Sequence, residues 1–434
     1  MDPRKADIAP PKLITALRGF NLLPAIVFLP TRRRCDEAVG DVAMDKSQRT
    51  DPERQIKRQK IFDEFVTEFP EIADHKHAKL IVRAGVAAHH AGHIPSWKLL
   101  IEKMMSGGLL NALFATSTVA AGVDFPARTV VITNADTRGN DGWRPLTASE
   151  LQQMTGRAGR RGRDHVGFVV LAPGQFQNPK KIAELLKAPP DPLESRFRAT
   201  YTSFLNLLDA FGNFAQVREI AEKSFAFRES RRASADSRSD DGAELLSDSI
   251  WLPFENKARV LDHFGYIDRE SETVTETGKW LADLRIDRPL LVGEALKHGV
   301  FDDLKISEAA GLMASVASDA DRSYGEMRSS RRMGDLLTKF EEIVRSVSNV
   351  EWKNGVEPSE EINYTAAAAA ERWTAGMEWD ELVDRTRAEE GDLVRLLART
   401  GEALRQLANL KGSNPGAAII AAAASEAMLR EPVR

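Results

Sequence analysis

Five short apolar runs, each bounded by turn residues, punctuate the first 185 positions of this chain. They are Ala25-Ile26-Val27-Phe28-Leu29, Val86-Ala87-Ala88-His89-His90, Leu113-Phe114-Ala115-Thr116, Thr129-Val130-Val131-Ile132 and Gly167-Phe168-Val169-Val170-Leu171. Runs of four or five such residues, too short for a helix and without polar alternation, read as strands buried on both faces. Helical stretches lie between them: one around Cys35 to Val39, a polar one from Pro52 to Phe69, and Pro95 to Met105, where Trp97, Leu100, Ile101 and Met104 fall at helix spacing. Strands alternating with helices predict a mostly parallel sheet with helices on both sides.

Beyond Pro189-Pro190-Asp191-Pro192 the character changes to mainly helical. Phe197 to Phe211 has apolar residues at helix spacing, and residues 228–248 are rich in Ser, Arg and Asp, which predicts a flexible insertion. Ala258 to Ile267, then Thr273-Val274-Thr275 and Gly278 to Leu281, give a helix, strand, helix order that suits a winged helix. From Pro289 onward the pattern is nearly all helix, with Ala-rich stretches at Ala366 to Ala370 and Ala417 to Ala424 expected to pack internally. The fold class is therefore α/β plus α, divided at 1–187, 188–285 and 286–434.

A chain of 434 residues has room for two to four domains, and 42% hydrophobic residues suffice for several cores. The net charge of −4 excludes nucleic-acid binding driven by bulk charge, so any basic surface is local. Cys35 is the only cysteine, which excludes an internal disulfide and suits a reducing cytoplasm. Met1-Asp2-Pro3-Arg4-Lys5 lacks the apolar core of a signal peptide, and Gly416 to Leu429 is too short to span a bilayer, so no membrane partner is expected.

Four stretches bear on chemistry. Gln153-Met154-Thr155-Gly156-Arg157-Ala158-Gly159-Arg160-Arg161-Gly162 sets two arginines three residues apart among glycines. Guanidiniums match phosphate oxygens, and small neighbours admit a polyanion close to the backbone. Leu29-Pro30-Thr31-Arg32 follows the first strand, where ligands of open α/β sheets bind; it reads equally as a solvated helix start. Thr116-Ser117-Thr118 follows the third, with Gly122 and Asp124 a turn further on; hydroxyls there can donate to phosphates or cap a helix. His89-His90-Ala91-Gly92-His93, with His75 and His77, has no Cys or carboxylate at a zinc-binding spacing, so no metal site is expected. A loop with Gly92 facing a phosphate is expected instead.

Taken in order, these stretches resemble motifs IV, IVa, V and VI of superfamily 2 helicases, specifically the Ski-like (superkiller and RNA-exosome-type) DExH-box group. Asp136 to Leu146 falls where that group has a strand-separating hairpin. Phe197 to Phe227 resembles the start of its winged helix, and Glu371 to Gly376 and Glu390 to Arg395 resemble its C-terminal helical domain. The resemblance implies a second RecA-like domain whose Arg157 and Arg160 contact the γ-phosphate of ATP, with Mg²⁺, on a partner N-terminal RecA-like domain. It favours Arg160 as the arginine finger, gives Gln153 a coupling role and places Asp124 and Gly122 at the nucleotide. Thr31, Arg32, Gly92 and Thr116 would contact the tracking strand of single-stranded RNA or DNA. Translocation 3′ to 5′, a preference for RNA and RNA-processing partners are implied likewise.

The departures matter as much. No Gly-x-x-x-x-Gly-Lys-[Ser/Thr] occurs in the 434 residues, and Thr277-Gly278-Lys279-Trp280 lacks both the upstream glycine and the hydroxyl. Asp36-Glu37-Ala38-Val39 mimics a DEAD box but has no phosphate loop before it, and reads as a surface helix. Residues 228–248 are too short for the arch of exosome-type members. The chain alone is therefore expected to be inactive and to act as the C-terminal portion of a helicase. The alternative is a non-catalytic nucleic-acid- or partner-binding module that retains a RecA-like fold.

Overall fold

A computed structural model describes residues 7–46, 48, 51–117, 119, 126–139, 142–193, 198–224, 240–319, 322–359 and 361–434. The chain divides into two compact units, residues 1–192 with 390–392, and residues 193–389 with 393–434.

In the first unit, β1 (Ala25–Phe28), β2 (Val86–His89), β3 (Ala112–Ala115), β4 (Thr129–Ile132) and β7 (Phe168–Leu171) form one sheet in the order β2-β3-β1-β4-β7. Every pairing in it is parallel. All four residues of β1, β2 and β3, and of β4, are buried, because helices cover both faces. One face packs Ala25, Val27, Ala88, Phe114 and Val131 against Leu13, Ile14 and Leu17 of α1 (Pro10–Gly19) and Cys35, Val39 and Val42 of α2 (Arg32–Met44). Edge strand β7 is only partly buried.

Helix α3 (Pro52–Glu68) is tied down by a buried arginine. Arg58 is 1% exposed and donates to three carbonyls: Val82 at 2.7 Å, Leu109 at 3.0 Å and Arg83 at 3.3 Å. Helix α4 (Ala78–Ala84) ends at Gly85, whose φ of +65° closes the turn into β2; a Cβ there would lie 2.7 Å from the Arg58 guanidinium. Helix α5 (Pro95–Ser106) buries Trp97, Leu100, Ile101 and Met104, the four positions its periodicity singled out.

After β4 the chain forms an antiparallel hairpin of β5 (Asp136–Gly139) and β6 (Gly142–Pro145), within the stretch the resemblance assigned to one. Helix α6 (Ala148–Thr155) follows, started by a capping box between Thr147 and Glu150. Helix α7 (Pro179–Lys187) closes the unit.

The second unit begins with α8 (Tyr201–Phe211) and α9 (Phe214–Glu222). A helix over Asp240–His263, a two-stranded ribbon of Ile267–Asp268 and Thr273–Val274, and a helix over Glu276–Asp283 follow. One expectation is corrected here. Residues 240–248, read as part of an insertion, are the start of the Asp240–His263 helix; residues 228–239 lie outside the described part. Low apolar content argued for a loop, but a helix can extend from a segment that packs, here the half containing Phe254, Ala258 and Leu261.

The remaining helices include Ile306–Ala317, Arg331–Lys353, Tyr364–Thr374, Glu390–Ala408 and Pro415–Met428. Ala366 to Ala370 are all buried, as are Ala417, Ala418, Ala421 and Ala424. Small side chains permit close helix approach: a Cβ on Gly311 would lie 3.0 Å from the Ala367 carbonyl. Two buried phenols are satisfied by carboxylates, Tyr201 by Glu351 and Tyr266 by Glu294, each at 2.8 Å. Among the described residues, no helix is long and apolar enough to cross a membrane.

Candidate functional site

The sheet has two edges, and the candidate residues divide between them. At the carboxyl edge, Thr31 follows β1 and is the N-cap of α2, accepting from the Arg34 N–H at 3.3 Å. A hydroxyl carries a donor as well as acceptor lone pairs. Thr116 directly follows β3 and is partly buried. Ser117 meets Thr137 of the hairpin at 3.4 Å, so the hairpin starts beside these hydroxyls.

Arg32 and Gly92 sit on the same edge but are engaged. Arg32 donates to Asp392 at 2.7 and 3.4 Å. Gly92 is buried; its N–H donates to His90 Nδ1 at 3.1 Å and its carbonyl accepts from Gly391 at 2.9 Å. Gly391 has to be glycine for this approach, since a Cβ would lie 2.3 Å from the Ala91 carbonyl. The sequence expected Gly92 to face a phosphate; in this structure residues 390–392, far away in sequence, cover it.

Gln153, Arg157 and Arg160 belong to α6 and the loop after it, which runs to the amino edge. Helix α6 buries Ala148, Leu151 and Met154 and leaves Gln153 exposed. Past its end the chain pairs with the approach to β4: Ala127 donates to the Arg157 carbonyl at 3.0 Å and Gly159 to the Ala127 carbonyl at 2.7 Å. Gly159 takes φ +92°, a conformation that disfavours side chains. Gly167 lies against it, and a Cβ there would be 2.5 Å from the Ala158 backbone. Two glycines thus press the arginine loop onto the starts of β4 and β7.

Arg160 is held by a residue that motif reading missed. Its Nε donates to Asp164 Oδ2 at 2.7 Å, its Nη2 to Oδ1 at 2.9 Å and its backbone N–H to Oδ2 at 3.0 Å. Arg128 also donates to Asp164, at 3.2 Å. The hydrogen bond from Arg160 pulls the Asp164 carboxyl down to about 2, against the opposing effect of burial. An acid four residues after Arg160 was visible in sequence; its burial was not. Gly122 and Asp124 lie outside the described residues, so their placement is not part of this geometry.

Asp36, read as part of a surface helix, needs correction. It does lie on α2, but its side chain is only 17% exposed and sits among His77, His90 and His93, with Lys76 on its outer oxygen. The helix is amphipathic, and Asp36 falls at the border of its buried face beside Cys35.

Residues 61–162 match the helicase conserved C-terminal domain, and residues 271–434 match the DSHCT (NUC185) domain. The chain is similar to the DExH-box ATP-dependent RNA helicase DExH15, chloroplastic, of Arabidopsis thaliana, 34% identical over 261 residues, 54% of this chain and 22% of that protein. It is similar to superkiller complex protein 2 of Mus musculus, 35% identical over 225 residues, 51% of this chain and 18% of that protein. Similarity to the exosome RNA helicase MTR4 of Mus musculus is 35% over 202 residues, 45% of this chain and 19% of that protein. The chain thus spans about a fifth of the length of these relatives.

Proposed function

Because this chain belongs to the Ski-like DExH-box helicases and corresponds to their C-terminal part, we propose that it supplies the second RecA-like domain, winged helix and helical bundle of an ATP-dependent 3′-to-5′ helicase. Arg157 and Arg160 face a nucleotide held by an N-terminal RecA-like domain, with Arg160 as the arginine finger. Gln153 couples that nucleotide to nucleic acid, and Gly122 and Asp124 contact it. Thr31 and Thr116 touch the tracking strand; Arg32 and Gly92 shape the same edge and reach the strand when Asp392 and Gly391 release them.

ATP with Mg²⁺ supplies the phosphoryl transfer that drives movement. This chain's part is positioning. Beyond its two side-chain bonds to Asp164, Arg160 keeps three of five N–H donors for a phosphate. The observation that carries the reading is the division of the sheet: strand-end hydroxyls on its carboxyl edge, a glycine-braced arginine loop on its amino edge. One domain can then read nucleic acid with one edge and a nucleotide with the other.

RNA is preferred over DNA because two of the relatives the chain is similar to are named RNA helicases. RNA-processing proteins are the expected partners, and the cytoplasm, where the free buried Cys35 stays reduced, the expected location. The full-length enzyme should unwind duplexes bearing a 3′ overhang, and RNA should outcompete DNA. Unwinding from 5′ overhangs alone, or equal affinity for the two, would overturn the direction or the substrate. The purified 434 residues should show no ATP turnover.

One observation favours the non-catalytic module: Arg160 is already forked onto Asp164. Absence of nucleic-acid-stimulated ATPase activity in the full-length protein, with RNA binding retained, would decide for that reading.

A further inference from the structure

Five of the chain's eight histidines are buried in the first unit: His75, His77, His89, His90 and His93. Three of them turn Nε2 toward one oxygen. Asp36 Oδ1 lies 3.1 Å from His90 Nε2, 3.3 Å from His93 Nε2 and 3.6 Å from His77 Nε2. Nitrogen and oxygen ligands about 2.0–2.1 Å from a zinc ion stand roughly 3.3 Å apart at the corners of a tetrahedron, which matches these separations.

Hydrogen bonding alone leaves this cluster unsatisfied. His93 is 1% exposed, yet its Nδ1 has no hydrogen-bond partner and its Nε2 has only the 3.3 Å approach to the Asp36 oxygen that three rings share; His77 Nδ1 has no partner either. A neutral imidazole needs a donor partner and an acceptor partner, and burying it without them is costly. Lys76 occupies the other carboxylate oxygen, Oδ2, at 2.7 Å, leaving Oδ1 to the rings. His75 closes the cluster from behind, stacked on Trp97 at 3.6 Å.

We propose that Asp36, His90 and His93, with His77 as the nearest fourth side chain, form a binding site for a divalent transition-metal ion of the zinc class. The three ligand atoms of Asp36, His90 and His93 lie within 4.8 Å of one another. The donor set, imidazole nitrogens with one carboxylate, suits zinc, cobalt or nickel and not magnesium, which takes oxygen. The histidines were visible in the sequence but their carboxylate was not, because it comes from α2 and the rings from two loops about 40 and 55 residues later. The site joins α2 to the loop after β2. His90 accepts the Gly92 N–H at Nδ1, so an ion on Nε2 shifts the ring proton to Nδ1 and gives up that bond. Ion uptake is thereby linked to the Gly92 loop.

The test uses the full chain, made without a histidine tag, stripped with a chelator and titrated with Co²⁺ and then Zn²⁺. One Co²⁺ per chain is expected, with the visible absorption of a four-coordinate N/O site, displaced by Zn²⁺ and not by Mg²⁺. Asp36→Asn and His93→Gln should each weaken binding about tenfold or more, while His263→Gln, at an exposed histidine elsewhere, should not. Failure of the unaltered chain to bind an ion saturably would overturn the proposal whether or not the variants fold. So would stoichiometric binding that both folded variants retain.

Discussion

Arg160 and Asp164 form a two-pronged ion pair, Nε to Oδ2 at 2.7 Å and Nη2 to Oδ1 at 2.9 Å, with Asp164 buried beneath it. A guanidinium fixed on one edge has lost most of its rotamer freedom before any phosphate arrives, which is what a positioned cation requires. Removing the cation and removing its support should therefore differ. In the full-length enzyme, Arg160→Ala should lower kcat by roughly 10³-fold or more. Asp164→Asn should lower it by up to about a hundredfold through misplacement. Single-stranded RNA affinity, measured by fluorescence anisotropy, should hardly change in either. Equal losses in the two variants would mean that Asp164 acts directly rather than by positioning.

The same pair makes stability depend on pH in a narrow acidic window. The Asp164 carboxyl is drawn from 3.8 to about 2 by the Arg160 hydrogen bond. A folded-state value below the unfolded one stabilises above the unfolded value and is lost as pH falls through the folded one. Urea unfolding followed by circular dichroism should show this contribution intact at pH 5 to 7 and fading between pH 4 and 2. Asp164→Asn should lack that part of the pH dependence.

Gly167 should tolerate no side chain. A Cβ there would stand 2.5 Å from the Ala158 carbonyl carbon and oxygen, and backbone cannot step aside as a flexible side chain can. Gly167→Ala should destabilise by about 1–3 kcal/mol and displace the arginine loop. Lowered kcat with unchanged RNA affinity in the full-length enzyme would register the displacement; an unchanged urea midpoint and rate would refute the packing argument.

Arg58 illustrates a buried charge that serves structure alone. Replacing it with Met preserves apolar bulk but leaves the Val82, Leu109 and Arg83 carbonyls without their donor. An orphaned buried acceptor costs about 1–3 kcal/mol, so Arg58→Met should destabilise by about 2–4 kcal/mol in urea unfolding. A loss below about 0.5 kcal/mol, the usual range of surface changes, would show that water takes over those carbonyls.

Much of the first unit was legible in the sequence because buried parallel strands are short apolar runs. Ala25 to Phe28 and Thr129 to Ile132 appear as such, and the structure moves their ends by a residue at most. Helices marked by periodicity, such as Pro95–Ser106, were legible for the same reason. Pro10–Gly19 and Ala78–Ala84 were not anticipated: the first carries Leu13, Ile14 and Leu17 at helix spacing and was overlooked, the second is only seven residues long. The first turns of the Asp240–His263 helix, residues 240–248, were misread because local composition spoke for a loop while packing favoured a helix.

The candidate site shows the same division. The sequence by itself determined which residue types follow each strand, and so the order Thr31, Gly92, Thr116, Arg157, Arg160 and its family. Chain order, though, does not encode which atoms meet. Only the tertiary structure decided that Asp164 holds Arg160, that Gly391 covers Gly92, and that Asp36 meets three imidazoles. Each of these contacts needs two segments brought together by burial elsewhere, and burial is a property of the packed core rather than of any local stretch.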